Sequence, residues 1–147
     1  MSVLEILKEP DPILRKKSDE VSKVDNDIRA LMDNMLETMY QAPGIGLAAP
    51  QVGILKKVIV IDLAKEDEPK NPLFIVNPKI IWKSDELCSR EEGCLSIPGY
   101  FADVVRPTKC KIQYLDYDGK QQEIEADDLL STCIQHEVDH CDGILFI

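Results

Sequence analysis

With 147 residues, 44% of them hydrophobic and 30% charged, the chain has the composition of one soluble globular domain, which we expect to span residues 1–147. Its net charge of −10 disfavours direct binding to nucleic acid, because the phosphate backbone would repel it. The sequence shows neither a secretory signal nor a run of the roughly 18 apolar residues that a membrane span requires, so no membrane association is expected.

The first predicted element is an amphipathic helix over residues 25–40. Asp25 or Asn26 can cap its start, and Pro43 with the glycines around it ends it. The apolar residues recur at i, i+3, i+4 and i+7, which puts them on one stripe of a helix. The stripe consists of Ile28, Leu31, Met32, Met35, Leu36 and Met39.

Strand-like segments rich in β-branched and aromatic residues follow. They cover residues 57–63, 73–82, 110–117 and 122–126. The last two flank Asp118 and Gly119, a strong hairpin signal. Because no helix separates these segments, the sheets should be largely antiparallel. Residues 90–99, REEGCLSIPG, are expected to form a bent segment between strands.

A second long helix is predicted to begin at Asp127 or Asp128 and to carry the sequence HEVDH. It is apolar on several faces, as a buried helix usually is. The predicted fold class is therefore α+β, with largely antiparallel sheets wrapped around this central helix and the amphipathic helix nearer the N-terminus. A strand is expected after the second helix, at the chain end Ile147.

The HEVDH sequence indicates a metal site. His136 and His140 lie four residues apart, so both imidazoles can converge on one ion from the same face of the helix. Glu137, beside the first histidine, can reach a water on that ion without being a ligand itself, which is the arrangement of HExxH metal enzymes. Two hydrogen-bonded core histidines are the structural alternative.

The third ligand must be a cysteine or a carboxylate, because the chain has only two histidines. After the motif, Cys141 and Asp142 project from other faces of the helix, at about 100° per residue. Upstream, Cys94 in the bent segment is the favoured candidate, and Glu92 competes with it. The five cysteines lack CxxC spacing, which favours free thiols in a reducing compartment.

Three blocks of the sequence, GIGLAAPQVG (44–53), EEGCLSIPG (91–99) and QHEVDH (135–140), resemble in order and separation the signature motifs of the peptide deformylases. The resemblance extends over essentially the whole chain. It implies a cytoplasmic metal-dependent amide hydrolase of N-terminal methionine processing. Such an enzyme removes the N-formyl group from the initiator methionine of nascent polypeptides and releases formate.

The resemblance also implies roles for individual residues. One divalent metal ion, natively Fe²⁺ and replaceable by Zn²⁺, Ni²⁺ or Co²⁺, would be bound by Cys94, His136 and His140. Glu137 would act as the general base and then as the general acid. The Gln51 side-chain amide and the Leu95 backbone N–H would stabilise the oxyanion of the tetrahedral intermediate.

Substrate-binding residues are expected in the first and third blocks. Gly44 and Gly46 flank Ile45 in a segment that can pair with an extended peptide, and Gly46 would let the backbone approach the substrate closely. Ile45, Leu129 and Cys133 are candidates for an apolar pocket around the methionine side chain. Ordinary core packing is the alternative for these three side chains.

Some interpretations stay open at this point. Arg106 can contact substrate, pair with carboxylates near the metal or be a solvated surface residue, and Asp139 can orient a histidine or be surface charge. An ordinary HExxH metalloprotease and a non-catalytic metal-binding module are the alternative functions. The expected partners are formyl-methionyl N-termini of nascent chains. Bacterial members commonly add a C-terminal helix that docks on the ribosome, and with the chain ending at Ile147 that docking is not expected.

Overall fold

The computed structural model describes residues 3–65 and 67–145. These residues form helices α1 (Asn26–Gln41) and α2 (Asp128–Cys141) and seven strands. The strands are β1 (Gly46–Ala48), β2 (Val58–Ile61), β3 (Leu73–Lys83), β4 (Leu87–Cys94), β5 (Ile97–Pro107), β6 (Lys109–Leu115) and β7 (Gln121–Asp127). Over the same two ranges, neither helix has the length and apolar character needed to cross a membrane. The domain was predicted to span residues 1–147, and its first two and last two residues lie outside these ranges. The strand predicted at the chain end Ile147 therefore also lies partly outside the described residues.

The strands form two sheets. Five of them make one sheet in the order β1-β2-β3-β6-β7, and β4 pairs with β5 in a second, two-stranded sheet. All pairings between these strands are antiparallel, so the predicted α+β class with antiparallel sheets is confirmed. The β6–β7 hairpin turns where the sequence predicts it, with Gly119 at a φ of +79° that favours glycine.

The segment REEGCLSIPG differs from the prediction. Instead of lying between strands, it forms the tip of a long hairpin, because β4 continues to Cys94 and β5 begins at Ile97. The hydrophobic pattern does not reveal these strands. The inward positions of β4 include the half-buried Arg90 and Cys94 and the buried Glu92, where a strand over an ordinary core would carry apolar residues.

The core lies on both faces of the five-stranded sheet. Strand β2 is buried along its whole length, and its side chains alternate between two clusters. Val58 and Val60 pack with the methionines of α1, whereas Ile59 and Ile61 pack with Ile134 of α2. The two helices therefore cover opposite faces of the sheet.

Helix α1 follows the periodicity of the sequence. Asp25 caps it by accepting a hydrogen bond of 3.0 Å from the Ile28 backbone N–H. Four residues of the predicted stripe are fully or nearly buried, namely Ile28, Met32, Met35 and Met39. The helix ends at Gln41, just before the Pro43 and glycine breaker.

A buried carboxylate fixes the chain after β2. Asp62, which is 5% exposed, accepts hydrogen bonds from the Tyr40 hydroxyl at 2.5 Å and from the backbone N–H groups of Ala64 and Asn71 at 2.9 and 3.0 Å. Burial favours the neutral acid, but these donors together hold the pKa of Asp62 below its ordinary value.

We expect Asp62→Asn to lower the free energy of unfolding at pH 7 by about 2 kcal/mol, because hydrogen bonds to a charged group contribute about 1.5–3 kcal/mol. Since the folded-state pKa of Asp62 lies below the unfolded value, its contribution is complete above the unfolded pKa of about 4 and is lost as the pH falls through the folded pKa. Urea unfolding at pH 7 and pH 3 should therefore show a smaller difference between variant and wild type at pH 3. An equal difference at both pH values would contradict this role, and exposed Asp27→Asn is the control.

Candidate active site

Helix α2 and the end of β4 bring three possible metal ligands together. His140 Nε2 lies 3.2 Å from His136 Nε2 and 3.2 Å from Cys94 Sγ. All three ligand atoms lie within 4.8 Å of one another. The two histidines are buried, and Cys94 reaches them from the hairpin tip. The ligand set implied by the sequence therefore meets at one point.

The chemistry of this cluster fits a transition-metal ion. His136 Nδ1–H donates to Glu92 Oε1 at 2.9 Å, so in the neutral ring Nε2 carries the lone pair. Burial opposes a positive charge on His136, but Cys94 and Glu92 raise its pKa to about 10. Burial and the neighbouring His136 lower the pKa of His140 to about 3. A cation would compete with protons for the Nε2 lone pairs of the two rings. One thiolate with two imidazoles is a donor set typical of catalytic sites.

Glu137 is the buried carboxylate beside this cluster. It is 5% exposed, and its Oε1 has no hydrogen-bond partner among the described residues. Burial raises the pKa of Glu137 to about 7. A Cβ at Gly46 would lie 2.6 Å from Glu137 Oε2, so this glycine makes room for the carboxylate itself. A carboxyl group with a pKa near neutrality can both accept and return a proton.

Gln51 is held in one orientation beside Cys94. Its side chain is 1% exposed, its Oε1 accepts from the Ala48 N–H at 3.0 Å, and its Nε2 donates to Ser96 Oγ at 3.1 Å and to Cys94 Sγ at 3.5 Å. Leu95 lies at the hairpin turn next to Cys94, within the same cleft. Ser96 was not singled out from the sequence, and its position inside the EEGCLSIPG block is the signal that could have indicated it.

Both carboxylate oxygens of Glu92 are hydrogen-bonded to groups other than the ligand atoms of the metal cluster. Its two oxygens accept bonds of 2.7 and 3.0 Å from Arg106, and one of them also accepts from His136. Burial disfavours its charge, yet the His136 and Arg106 donors hold the pKa of Glu92 below its ordinary value. Arg106 also donates to Asp139 at 2.8 Å and is only 12% exposed, so it is not a solvated surface residue. Glu92 therefore orients the His136 ring, which favours Cys94 as the third ligand.

Arg106→Leu should lower the free energy of unfolding by about 3 kcal/mol, because removing one partner of a buried ion pair leaves the other charge without compensation. The side chains of Arg106 and Glu92 are 12% and 5% exposed. The matched control is Arg15→Leu, which breaks an exposed pair with Glu9 and should cost below about 1 kcal/mol. Urea unfolding of both variants measures these losses. Equal decreases in the free energy of unfolding would show that the buried pair of Arg106 and Glu92 stabilises the fold no more than the Arg15–Glu9 pair does.

A cleft of about 830 Å³ opens onto these residues. Each predicted substrate-binding residue lines it, namely Gly44, Ile45, Gly46, Leu129 and Cys133. Ile45 and Leu129 are 46% and 43% exposed, so core packing does not account for them. Cys133 is buried and also belongs to a core cluster. Arg90, Phe101 and Thr132 also line the cleft. Arg90 and Phe101 were missed because strands β4 and β5 were not predicted, whereas Thr132 lies on α2 as a polar residue outside the apolar pattern of that helix.

Known sequences resemble this chain over its whole length. The family model described as polypeptide deformylase matches residues 3–147. The peptide deformylase of Phenylobacterium zucineum is 56% identical over 147 residues, which are all of this chain and 87% of the relative. That of Rhizobium meliloti is 52% identical over all of this chain and 84% of the relative.

Solved structures agree with these sequences. The peptide deformylase of Ehrlichia chaffeensis, in complex with actinonin, is 47% identical and superimposes with a TM-score of 0.95 over 99% of this chain and 87% of that one. A probable peptide deformylase of Synechococcus phage S-SSM7 is 45% identical, with a TM-score of 0.93 over 97% of both chains. The chain therefore belongs to the polypeptide deformylase family, metal-dependent hydrolases that deformylate nascent polypeptides.

Proposed function

We propose that this chain removes the N-formyl group from the initiator methionine of nascent polypeptides in the cytoplasm, with residues 1–147 as one catalytic domain built around helix α2. The observation that carries the proposal is the meeting of three ligand atoms within 4.8 Å of one another beside a buried carboxylate. Cys94, His136 and His140 would hold one divalent ion. A thiolate with two imidazoles suits Fe²⁺, the proposed native ion, and also Zn²⁺, Ni²⁺ or Co²⁺.

The chemistry follows from the positions of the chain's own groups. A divalent ion in this set supplies Lewis-acid chemistry, which lowers the pKa of water and polarises a carbonyl oxygen. Glu137 accepts the proton of the water that attacks the formyl carbon, and then delivers it to the leaving amine. The amide C–N bond breaks, and the products are formate and a free methionine N-terminus. Burial of Glu137 supports this assignment, since a pKa of about 7 suits both steps.

Gln51 and Leu95 are proposed to stabilise the oxyanion that forms during the attack. The Gln51 amide is fixed by Ala48 and Ser96 before substrate arrives, and the N–H that now makes the long 3.5 Å contact with Cys94 Sγ would be the donor to the oxyanion. The Leu95 backbone N–H would be the second donor, and its place at the hairpin turn beside Cys94 supports that role.

The substrate is proposed to bind as an extended strand along residues 44–46. Strand β1 begins at Gly46 and forms one edge of the five-stranded sheet, and an edge strand can pair with a peptide. The methionine side chain would enter the pocket between Ile45, Leu129 and Cys133. The cleft volume of about 830 Å³ leaves room for the residues that follow.

The test is formate release from formyl-Met-Ala-Ser by protein purified without oxygen and loaded with Fe²⁺. We expect formate and Met-Ala-Ser in equal amounts. Cleavage of an internal peptide bond would favour the metalloprotease alternative, and absence of any product would favour a binding module. An excess of a strong chelator should abolish the release, which ties it to the ion.

A further inference from the structure

The inner face of β4 and one stripe of α2 match residue for residue. Residues two apart on a strand are separated by about 6.6 Å and residues four apart on a helix by about 6 Å, so the two spacings stay in step. Two residues on β4 therefore correspond to four on α2, which sets Cys94 against His140, Glu92 against His136 and Arg90 against Thr132, while the long Arg90 side chain extends one turn further to Asp128. The contacts have distances of 3.7, 2.9 and 3.2 Å: Arg90 with Asp128, Glu92 with His136, and Cys94 with His140. The last two belong to the metal cluster, whereas the first lies farther along the cleft.

Thr132 is the remaining residue of this stripe, one helical turn from Asp128 and one turn from His136. Its Oγ1 and the Nε of Arg90 are both buried without a hydrogen-bond partner among the described residues. Both residues line the cleft, next to Leu129 and Cys133. The outer end of Arg90 approaches Asp128, which is 74% exposed, so the guanidinium reaches the rim while its Nε lies inside.

Buried donors without partners are costly, and in a binding cleft they select ligands that supply acceptors. We propose that Arg90 and Thr132 form a polar wall of the pocket for the substrate's first side chain, and that this wall selects side chains with a hydrogen-bond acceptor where methionine has its sulfur. The inference rests on the proposed deformylase function and deepens it by assigning two specificity residues.

A graded substrate series isolates the acceptor. Norleucine has the shape of methionine without an acceptor, methionine has a weak one, and methionine sulfoxide has a strong one. The wild type should prefer formyl-Met-Ala-Ser over the norleucine peptide by on the order of fivefold in kcat/KM, the effect of one modest hydrogen bond. It should prefer the sulfoxide peptide over the norleucine peptide by about tenfold or more, because charged donors bond strong acceptors better.

Variants separate the hydrogen bond from the charge. Arg90→Leu and Thr132→Val should each bring the three kcat/KM values closer together, mainly by raising kcat/KM for the norleucine peptide relative to the others. Arg90→Lys keeps the positive charge at the rim but lacks the Nε–H, so it should lose the preference as Arg90→Leu does. Arg29→Leu, on the exposed part of α1, removes one positive charge far from the cleft and should leave all ratios unchanged.

The kcat/KM ratios of the wild type among the three peptides test the polar wall even if a variant fails to fold. Equal kcat/KM for the methionine and norleucine peptides would overturn the polar wall while leaving the proposed function intact. Retention of the wild-type ratios in a folded Arg90→Lys variant would overturn the assignment to Nε. Failure to deformylate any of the three peptides would overturn the proposed function and this inference together.

Discussion

Glu137→Gln should lower kcat for formate release by about a thousandfold, within the roughly 10²–10⁴ that a positioned general base contributes. Glutamine has nearly the same volume, so it fits the space left by Gly46, where even a Cβ would lie 2.6 Å from the carboxylate. It cannot accept the proton of the attacking water or return one to the amine. The chemistry should therefore fail while the architecture of the site persists.

Three measurements on the variant separate this mechanism from misfolding. Metal content per chain should stay at the wild-type value, because Glu137 lies outside the ligand cluster of Cys94, His136 and His140. KM for formyl-Met-Ala-Ser should change far less than kcat. Glu125→Gln, on the exposed face of β7, makes the same chemical change outside the cleft and should keep full activity. A metal-loaded Glu137→Gln protein with more than about a tenth of wild-type kcat would contradict the proton-transfer role.

Local patterns made parts of this site predictable. The stripe of α1, the two histidines of α2 and the Gly119 turn all depend on neighbours within a few residues, which spacing alone reveals. The third metal ligand, which lies on β4, was predicted by elimination, because the chain has no third histidine and only cysteines and carboxylates remained as candidates. Spacing could not choose between Cys94 and Glu92, because the choice depends on where Arg106 lies.

The hairpin of β4 and β5 was missed for a physical reason. Its inward side chains include Arg90 and Glu92, and their burial becomes favourable only through partners distant in sequence. Glu92 meets Arg106, 14 residues away, and His136, 44 residues away. Hydrophobic periodicity does not reflect pairings between residues so far apart in sequence. It therefore does not predict strands whose buried side chains are polar, such as those beside a functional site. Thr132 lies on the predicted helix α2, but the polar side of the cleft that it shares with Arg90 could not be predicted without β4.

Cys94→Ala should remove the bound metal almost completely after dialysis against a mild chelator, whereas the wild type keeps close to one ion per chain. Loss of a direct ligand should weaken metal affinity by more than the roughly 10–100-fold typical of a residue that only supports a ligand. Glu92→Gln, which removes such support at His136 Nδ1, should fall within that smaller range. Metal analysis by mass spectrometry at a series of chelator concentrations measures both. Cys88→Ala, on the same face of β4 and six residues earlier, is the matched control and should keep its metal.

The same variant tests what the ion does for the fold. Cys94 is at the tip of the β4–β5 hairpin and the two histidines are on buried α2, so an ion bound by all three would connect the two elements. Because an ion that binds the folded state raises its stability, chelation should lower the Tm of the wild type and of Cys88→Ala. The Tm of Cys94→Ala should barely respond to chelator or added metal. If Cys94→Ala instead retained full occupancy and Glu92→Gln lost it, Glu92 would be the third ligand, and the orienting role assigned to its contacts with Arg106 and His136 would be wrong.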